Sequence, residues 1–586
     1  MMPEKHPIYL LLFLLSLCQL FHAQTTTLIS YGQDGKLVYT ADAVGSVVPD
    51  YSGVGYKNSE APIPLVPVVK TVTAIAGDNT AHIQRAINEV AALPLQADGF
   101  RGAILFKSGV YEIASGITVS SSGIVLRGEG PATEFKATGT TQYELIRFNG
   151  GSVSINSSSR KKIADAFVPV GAKKVTVESG HSFNEGDWVY LRREPNDKWI
   201  TMLGMDLLAR PTAPDVVNWT PSSYSINYER QIIKVDGNQL TLDAPVMDII
   251  DSQYASGFVS KITSTRISNV GIENMKMTSS YTTSWSSGTT NVAHDEEHGW
   301  IAVRFSAARD GWAKKITAYY FGYSCVNIGS SASFITVDSC AMYDPISKIE
   351  GGRRYSFNVD GQRNLVQNCT TRNGRHDYVN GARVPGPNVF YKCVANSQRS
   401  DIGPHHRWAT GTLFDNITGN GEMNVQDRQI SGTGHGWAGS QIMFWNSNLK
   451  KIIIQSPPSH HTNWAIGCTA PTITNVGYYV TRTKGIVESA NKSITAIPGL
   501  FKAQLNERLS ALQNNTSVPN NSIPERLAYV FNGEIIFSVN FKTPFTVYAI
   551  NGNKVAEGMA ENGTGLSLPR GVYILKINNQ TQKILL

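Results

Sequence analysis

The chain has 586 residues, 41% of them hydrophobic and 17% charged, with a formal net charge of +7. That length admits several domains or one elongated core. The basic excess is local: residues 353–428 hold ten Lys/Arg, nine of them Arg, against six Asp/Glu, and residues 526–586 hold six against three. An Arg-dominated patch suits carboxylate or sulfate ligands and argues against nucleic acid, which draws on denser Lys-rich surfaces.

Residues 1–23 read as a secretory signal: Lys5 and His6, an apolar stretch from Ile8 to Phe21, and a cut at Ala23-Gln24. No other stretch is apolar and long enough for a transmembrane segment. Five cysteines remain after the signal, at spacings that match no metal site or disulfide framework, so they read as small buried hydrophobes.

Residues 24–150 are expected to hold an irregular Gly/Pro-punctuated arm, a capping helix and the first coils of a β-solenoid. DNTAHIQRAINEVAAL (78–93) has a helix signature, with Asp78 or Asn79 as N-cap and Ile83, Ala86, Ile87 and Val90 on one apolar face. GAILFKSGVYEI and GITVSSSGIVLRGEG follow as short strands broken by Gly. A helix ahead of such strands covers the open end of a coil stack, where strand edges would otherwise be bare. DNTAHIQRAIN, GAILFKSGVY and GIVLRGEG together resemble the opening of the pectate-lyase-like superfamily. The resemblance implies an all-β fold, a right-handed parallel β-helix, and leaves the reaction open, since that fold hosts lyases, hydrolases, epimerases and phage tailspikes.

Residues 151–258 change period. HSFNEGDWVYLRRE and RQIIKVDGNQLTLDAPV read as antiparallel hairpins of a small inserted β domain. Coils resume over 259–497, with Asn274 on their ladder. Residues 498–525 read as a closing helix and a polar linker. Residues 526–586 form a separate β-sandwich-like module (IIFSVNF, FTVYAINGNKVAEG, LSLPRGVYILKI, QKILL) that resembles the C-terminal sorting domain of the type IX secretion system. That resemblance implies a Bacteroidota-type bacterium, the type IX secretion machinery as a partner, and a secreted or cell-surface location.

Cys340, Cys369, Cys393, Asn416 and Asn446 each end a short apolar run, at gaps of 29, 24, 23 and 30 residues. Arg354, Arg383 and Arg407 each fall 14 residues after their ladder residue, and Arg428 falls 12 after its own. One coil per repeat would stack these guanidiniums as a column of fixed charged forks for a polyanionic chain. Arg375-His376-Asp377 with Arg383 also answers Arg399-Ser400-Asp401 with Arg407, and GPHHRW and GTGHGWAG complete the dense region.

Such residues fit β-elimination on an acidic, uronic-acid-containing polysaccharide. That reaction needs a cation on the C6 carboxylate, a base for the C5 proton and an acid for the leaving oxygen. His405 is expected as base or acid with His406 beside it, and Arg383 and Arg407 on the carboxylate. Arg354, Arg375, His376, Arg428 and His435 are expected to bind substrate, with Trp408 and Trp437 as flat faces for sugar rings. A polygalacturonase-like hydrolase is the rival, because GHG occurs here. No Asp-Asp pair is present, however, and Asp377, Asp401 and Asp427 each lie near an Arg that would depress an acid. A non-catalytic glycan-binding surface protein is the third reading. Asp295, Glu296 and Glu297 in AHDEEHGW are weak metal candidates, for Ca²⁺ as used by lyases of the resembled fold.

Overall fold

The computed structural model describes residues 23–285 and 293–515, and, in the C-terminal module, 527–531, 534–537, 543–561, 564–577 and 580–586. The signal stretch and most of the polar linker lie outside them.

Three parallel ladders run the length of the body. The first pairs Val68–Val72, Gly102–Phe106, the start of Ile124–Ala137, and then one strand per coil to Ile486–Glu488. The second passes through Gly109–Ile113, Ala341–Tyr343, Thr370–Arg372 and Val394–Asn396. The third passes through Ile117–Val119, Ser324–Ile328, Phe357–Val359 and Tyr378–Asn380 to Thr472–Thr474. Each coil visits the ladders in turn and returns one strand further on. With the right-handed crossover that L-residues impose, this is a right-handed parallel β-helix. Inward side chains such as Phe305, Ile335, Phe390 and Phe414 fill a continuous core along its axis.

The helix Thr80–Ala91 covers the first coil with Ile83, Ala86, Ile87 and Val90, all buried. Asn79 makes no side-chain cap bond to it; its side chain instead ties back to Ile75.

Two expectations need correction. The ladder residues are out of register by one. Ser339, Asn368, Lys392, Asn416 and Asn446 share the corner position with positive φ (45–58°). The next residue of each coil, Cys340, Cys369, Cys393, Ile417 and Ser447, turns inward and is buried. Asn thus belongs on the left-handed corner it tolerates, and Cys on the packed position after it. All five cysteines of the described residues are free and buried. The helix Leu500–Asn515, moreover, does not close an end. It lies along the flank with the N-terminal arm, where Leu500, Phe501, Leu505, Tyr51 and Val54 cover the outward column Leu365, Val389, Leu413, Met443 and Trp464 of the first ladder.

Between the coils, an antiparallel sheet runs from Val153–Ile155 to Ala255–Ser264, with its Asp236-Gly237 turn in the expected hairpin and a short helix, Asp197–Leu203. This unit docks on the body through buried charge. Glu229 takes Arg266 at 2.7 Å and Arg309 at 3.0 Å, and Arg363 reaches Asp243 at 2.9 Å. The C-terminal module consists of a three-stranded and a four-stranded antiparallel sheet around its own core, including Ile535, Val547 and Leu575. No described helix is long and apolar enough to cross a membrane.

Candidate functional site

The third ladder and the corners at its two ends carry the site. Pairing of Phe357 with Tyr378 puts Tyr355 and His376 at the same station, two residues ahead of their strands. In the following coils Asp401 precedes Gly403–Pro404 and His405 follows it, and His405 N–H donates to Asn380 O at 2.9 Å. Arg428 and His435 come from the next coil. Four imidazoles therefore meet. Ring centroids are 4.3 Å apart for His376 and His405, 5.1 Å for His405 and His435, and 4.9 Å for His406 and His435. Tyr355 stands 4.8 Å from His376 and 5.5 Å from His405.

Arg428 organises this cluster from beneath. Its Nη2 donates to Asp401 Oδ2 at 2.9 Å and its Nη1 to His405 Nδ1 at 2.7 Å. A guanidinium cannot accept a hydrogen bond, so His405 Nδ1 is unprotonated and the neutral ring carries its proton on Nε2. His376 Nδ1 lies 3.0 Å from Asp401 O, a carbonyl that can only accept, which fixes its proton on Nδ1 and leaves its Nε2 a buried lone pair without a partner. His405 retains 8% exposure and His376 only 1%, so His405 is the ring a ligand meets first.

The electrostatics keep all four rings neutral. Burial pushes His376 down to about 4, helped by Arg375 and Arg428 against the pull of Asp401. Burial, His376 and Arg428 hold His405 well below its ordinary value. Burial, with the neighbouring His435 and Arg407, takes His406 to about 3, and burial with Arg428 and Arg407 takes His435 to about 4. Burial alone would raise the Asp401 carboxyl, but Arg428 and then His376 outweigh it and hold it ionised. Burial raises the Tyr355 phenol, which stays protonated.

The arginine column dissolves into two groups. Arg354 sits in the corner between the second and third ladders, whereas Arg383 and Arg407 sit in the corner after the third; the equal spacing hides unequal corners, 344–356 against 373–377. Arg354 is buried, donates to Ser347 O, and is pushed by burial down to about 10, so it braces a loop rather than facing a ligand. Arg428 is likewise buried in its ion pair. Arg383, Arg407 and Arg375 are half-buried and have no carboxylate partner among the described residues. Arg383 Nη1 donates to Ser223 O at 2.9 Å and Arg407 Nη2 to Thr433 O at 3.0 Å, and Arg375 donates to Gly351 O. These three are the charges left for an anion.

Trp408 and Trp437 cannot serve as sugar platforms. Both are buried at 1% exposure or less beneath the inserted domain, donating to Asp248 Oδ2 at 2.8 Å and Leu203 O at 3.3 Å. The paired carboxylates a hydrolase requires are absent among the described residues of the cluster. Asp377 turns inward onto Ser356, and burial raises it to about 6. Asp401 is bound to Arg428, and Asp427 to Arg482 at 2.7 Å.

Metal candidates fare no better. Asp295 caps the backbone of Thr282 and Glu297, Glu296 pairs with Arg353, and Glu297 is exposed. One group of potential ligands converges among the described residues: His376, Asp401 and His405, within 4.8 Å of one another. Ca²⁺ takes six to eight oxygens, and this set offers one carboxylate already held by a guanidinium. The residues present do not fit Ca²⁺.

Tyr355 and Tyr478 escaped the sequence reading. Aligning YSFNV with HDYVN would have placed Tyr355 at the His376 station. Tyr478, whose ring lies 5.3 Å from the Arg428 guanidinium, comes from a distant loop that no local pattern marks.

No protein-family model matches the sequence, and no curated protein matches it. Among solved structures, the chain is similar to a tailspike of Pseudomonas phage phi297 (10% identity, TM-score 0.31, 70% of this chain and 66% of that one). It is similar also to the gp49 tailspike of Pseudomonas phage LKA1 (13%, 0.32, 70% and 70%). A third is the tailspike of E. coli bacteriophage HK620 in complex with a pentasaccharide (10%, 0.35, 80% and 64%). The chain spans just under two thirds of the first and third of these proteins.

Proposed function

We propose that the protein is a polysaccharide lyase that cleaves an acidic, uronic-acid-containing glycan by β-elimination. The observation that carries this reading is a cluster of four neutral imidazoles among unpaired guanidiniums, with no free carboxylate pair beside them. Arg383 and Arg407 neutralise the C6 carboxylate and so acidify the C5 proton. His405 acts as a donor: its Nε2–H stabilises the negative charge that grows on the carboxylate as the C5–H bond breaks. Its tautomer rules it out as the base. A neutral imidazole of His406 or His435 takes the C5 proton, the C4=C5 double bond forms, and the C4–O bond breaks. The Tyr355 phenol gives its proton to the departing oxygen. The signal sequence and the C-terminal module support export, through the type IX machinery if the module sorts as its resemblance implies.

The test is ultraviolet absorbance of the conjugated double bond on a panel of polyuronates. Absorbance is expected to rise on one of them, and to rise equally in EDTA, because the cluster offers no oxygen cage for Ca²⁺. New reducing ends without absorbance would point to hydrolysis.

The pH profile carries a second expectation. Protonation disables the imidazoles only below their depressed values, so the acid limb of kcat/KM, which reports the free enzyme, should lie near 4. A limb near 6.5, the value of an unperturbed histidine, would contradict the electrostatics described above.

A further inference from the structure

A cavity of about 370 Å³ opens on the same outer face, on the N-terminal side of the histidine cluster. Trp300, Tyr323, Arg304, Asn327, Asp360 and Glu144 line it. It is joined to the cluster by aromatic contacts. Tyr323 stacks on Tyr355 at 5.3 Å, and Tyr355 meets His376 and His405. The outward stations between them belong to one surface: Asn327 pairs in register with Asn358, and Asn358 with Val379.

The cavity holds polar groups with spare capacity. Asn327 is 2% exposed, and its Oδ1 has no hydrogen-bond partner. A buried carboxamide oxygen left in this state costs free energy that a ligand hydroxyl would recover. Asp360 accepts from Asn358 Nδ2 at 2.8 Å and keeps some surface open to the cavity; burial raises its carboxyl, favouring the neutral acid that can donate as well as accept. Arg304 is compensated by Glu144 at 3.3 Å. The lining is thus close to electrically neutral, in contrast to the three unpaired guanidiniums at the cluster. A carboxylate bound here would face Glu144 and gain no free cation.

We propose that this cavity is a second saccharide subsite, taking an uncharged sugar unit through stacking on Tyr323 or Trp300 and hydroxyl contacts to Asn327 and Asp360. Tyr323 and His405 are three coils apart, roughly 14 Å at one strand spacing per coil, or about three sugar units from the bond that breaks. The substrate is then a mixed glycan, with an acidic unit at the histidines and an uncharged one further along, rather than a homopolymer of uronic acid. The proposal rests on the lyase reading only in letting one glycan cross both places.

Saturation-transfer NMR on the secreted protein, with methyl glycosides of glucose, galactose and mannose against the matching C6 uronates, tests it. At least one uncharged glycoside should bind and resist displacement by the uronates. Its affinity should fall roughly tenfold in both Tyr323→Ala and Asn327→Ala. Should Tyr323→Ala fail to fold, Asn327→Ala, which removes only an unpartnered carboxamide, carries the reading. No binding by any uncharged glycoside, binding unchanged in the variants, or equal displacement by uronates would overturn the proposal. Glycoside binding in a protein that shows no elimination would sink the lyase reading and leave this subsite standing.

Discussion

Arg428→Met is expected to lower turnover by at least about 10²-fold and to destabilise the protein by about 3–5 kcal/mol. The stability loss follows from what is left behind. Asp401 is 2% exposed, and removing its partner strands an ionised carboxylate in the interior, the circumstance in which a broken buried pair costs several kcal/mol. The activity loss follows from the 2.7 Å bond to His405 Nδ1. Without it the ring is free to take the other tautomer, and the proton aimed at the substrate carboxylate is no longer guaranteed. Loss of one preorganised donor to a developing oxyanion typically costs 10²–10³. A purely structural role is separable from this one. Arg428 is among the cations that depress His405 and His435, so its removal must raise their values and move the acid limb of kcat/KM upward. Arg428→Lys keeps the charge but not the fork. It should leave the limb nearer its original place while recovering only part of the rate. A limb that stays put in Arg428→Met, measured on the folded fraction, would show that the guanidinium does not tune the rings.

Glu229→Ala is expected to cost a comparable amount, about 3–5 kcal/mol, without touching the chemistry. Glu229 belongs to the inserted domain and is 1% exposed; Arg309 belongs to a coil strand, and Arg266 to the junction between them. Burial alone would raise the Glu229 carboxyl, but Arg266 and then Arg309 hold it below its ordinary value. Its contribution is therefore present above the unfolded carboxylate value and is lost as pH falls through the depressed folded one. Truncation leaves one deeply buried guanidinium and one half-buried guanidinium unpaired. Urea unfolding followed by tryptophan fluorescence checks this, since the Arg309 guanidinium lies 3.7 Å from the Trp188 ring centroid. An unchanged midpoint would mean that the insert docks through its apolar contacts alone.

The coil architecture was legible because its signals are local. The helix Thr80–Ala91 shows its apolar face at helical spacing, and the cysteines recur once per turn wherever corners keep one length. The histidines were legible for the same reason, as a polar turn of HHRW cannot hide in a core. The arginine roles were not. Whether Arg428 faces solvent or Asp401 depends on a contact 27 residues away in sequence. Arg354 and Arg383 fall at the same spacing from their ladder residues yet occupy different corners, because one corner is long and the next short. Trp408 and Trp437 look like exposed aromatics until the inserted domain, more than 200 residues upstream of Trp437 at Leu203, folds over them. Sequence pattern reports the period of a solenoid well and reports poorly what an insertion lays on top of it.

The central claim is that the glycosidic bond breaks by elimination and not by attack of water. Cleavage of the responsive glycan in heavy-oxygen water, followed by mass spectrometry of the fragments, addresses this directly. Elimination predicts fragments that together match the parent mass, with an unsaturated new non-reducing end and no heavy oxygen incorporated in the cleavage step. One heavy oxygen in a fragment for each bond broken, with no unsaturation, would contradict the account and assign the site to a hydrolase.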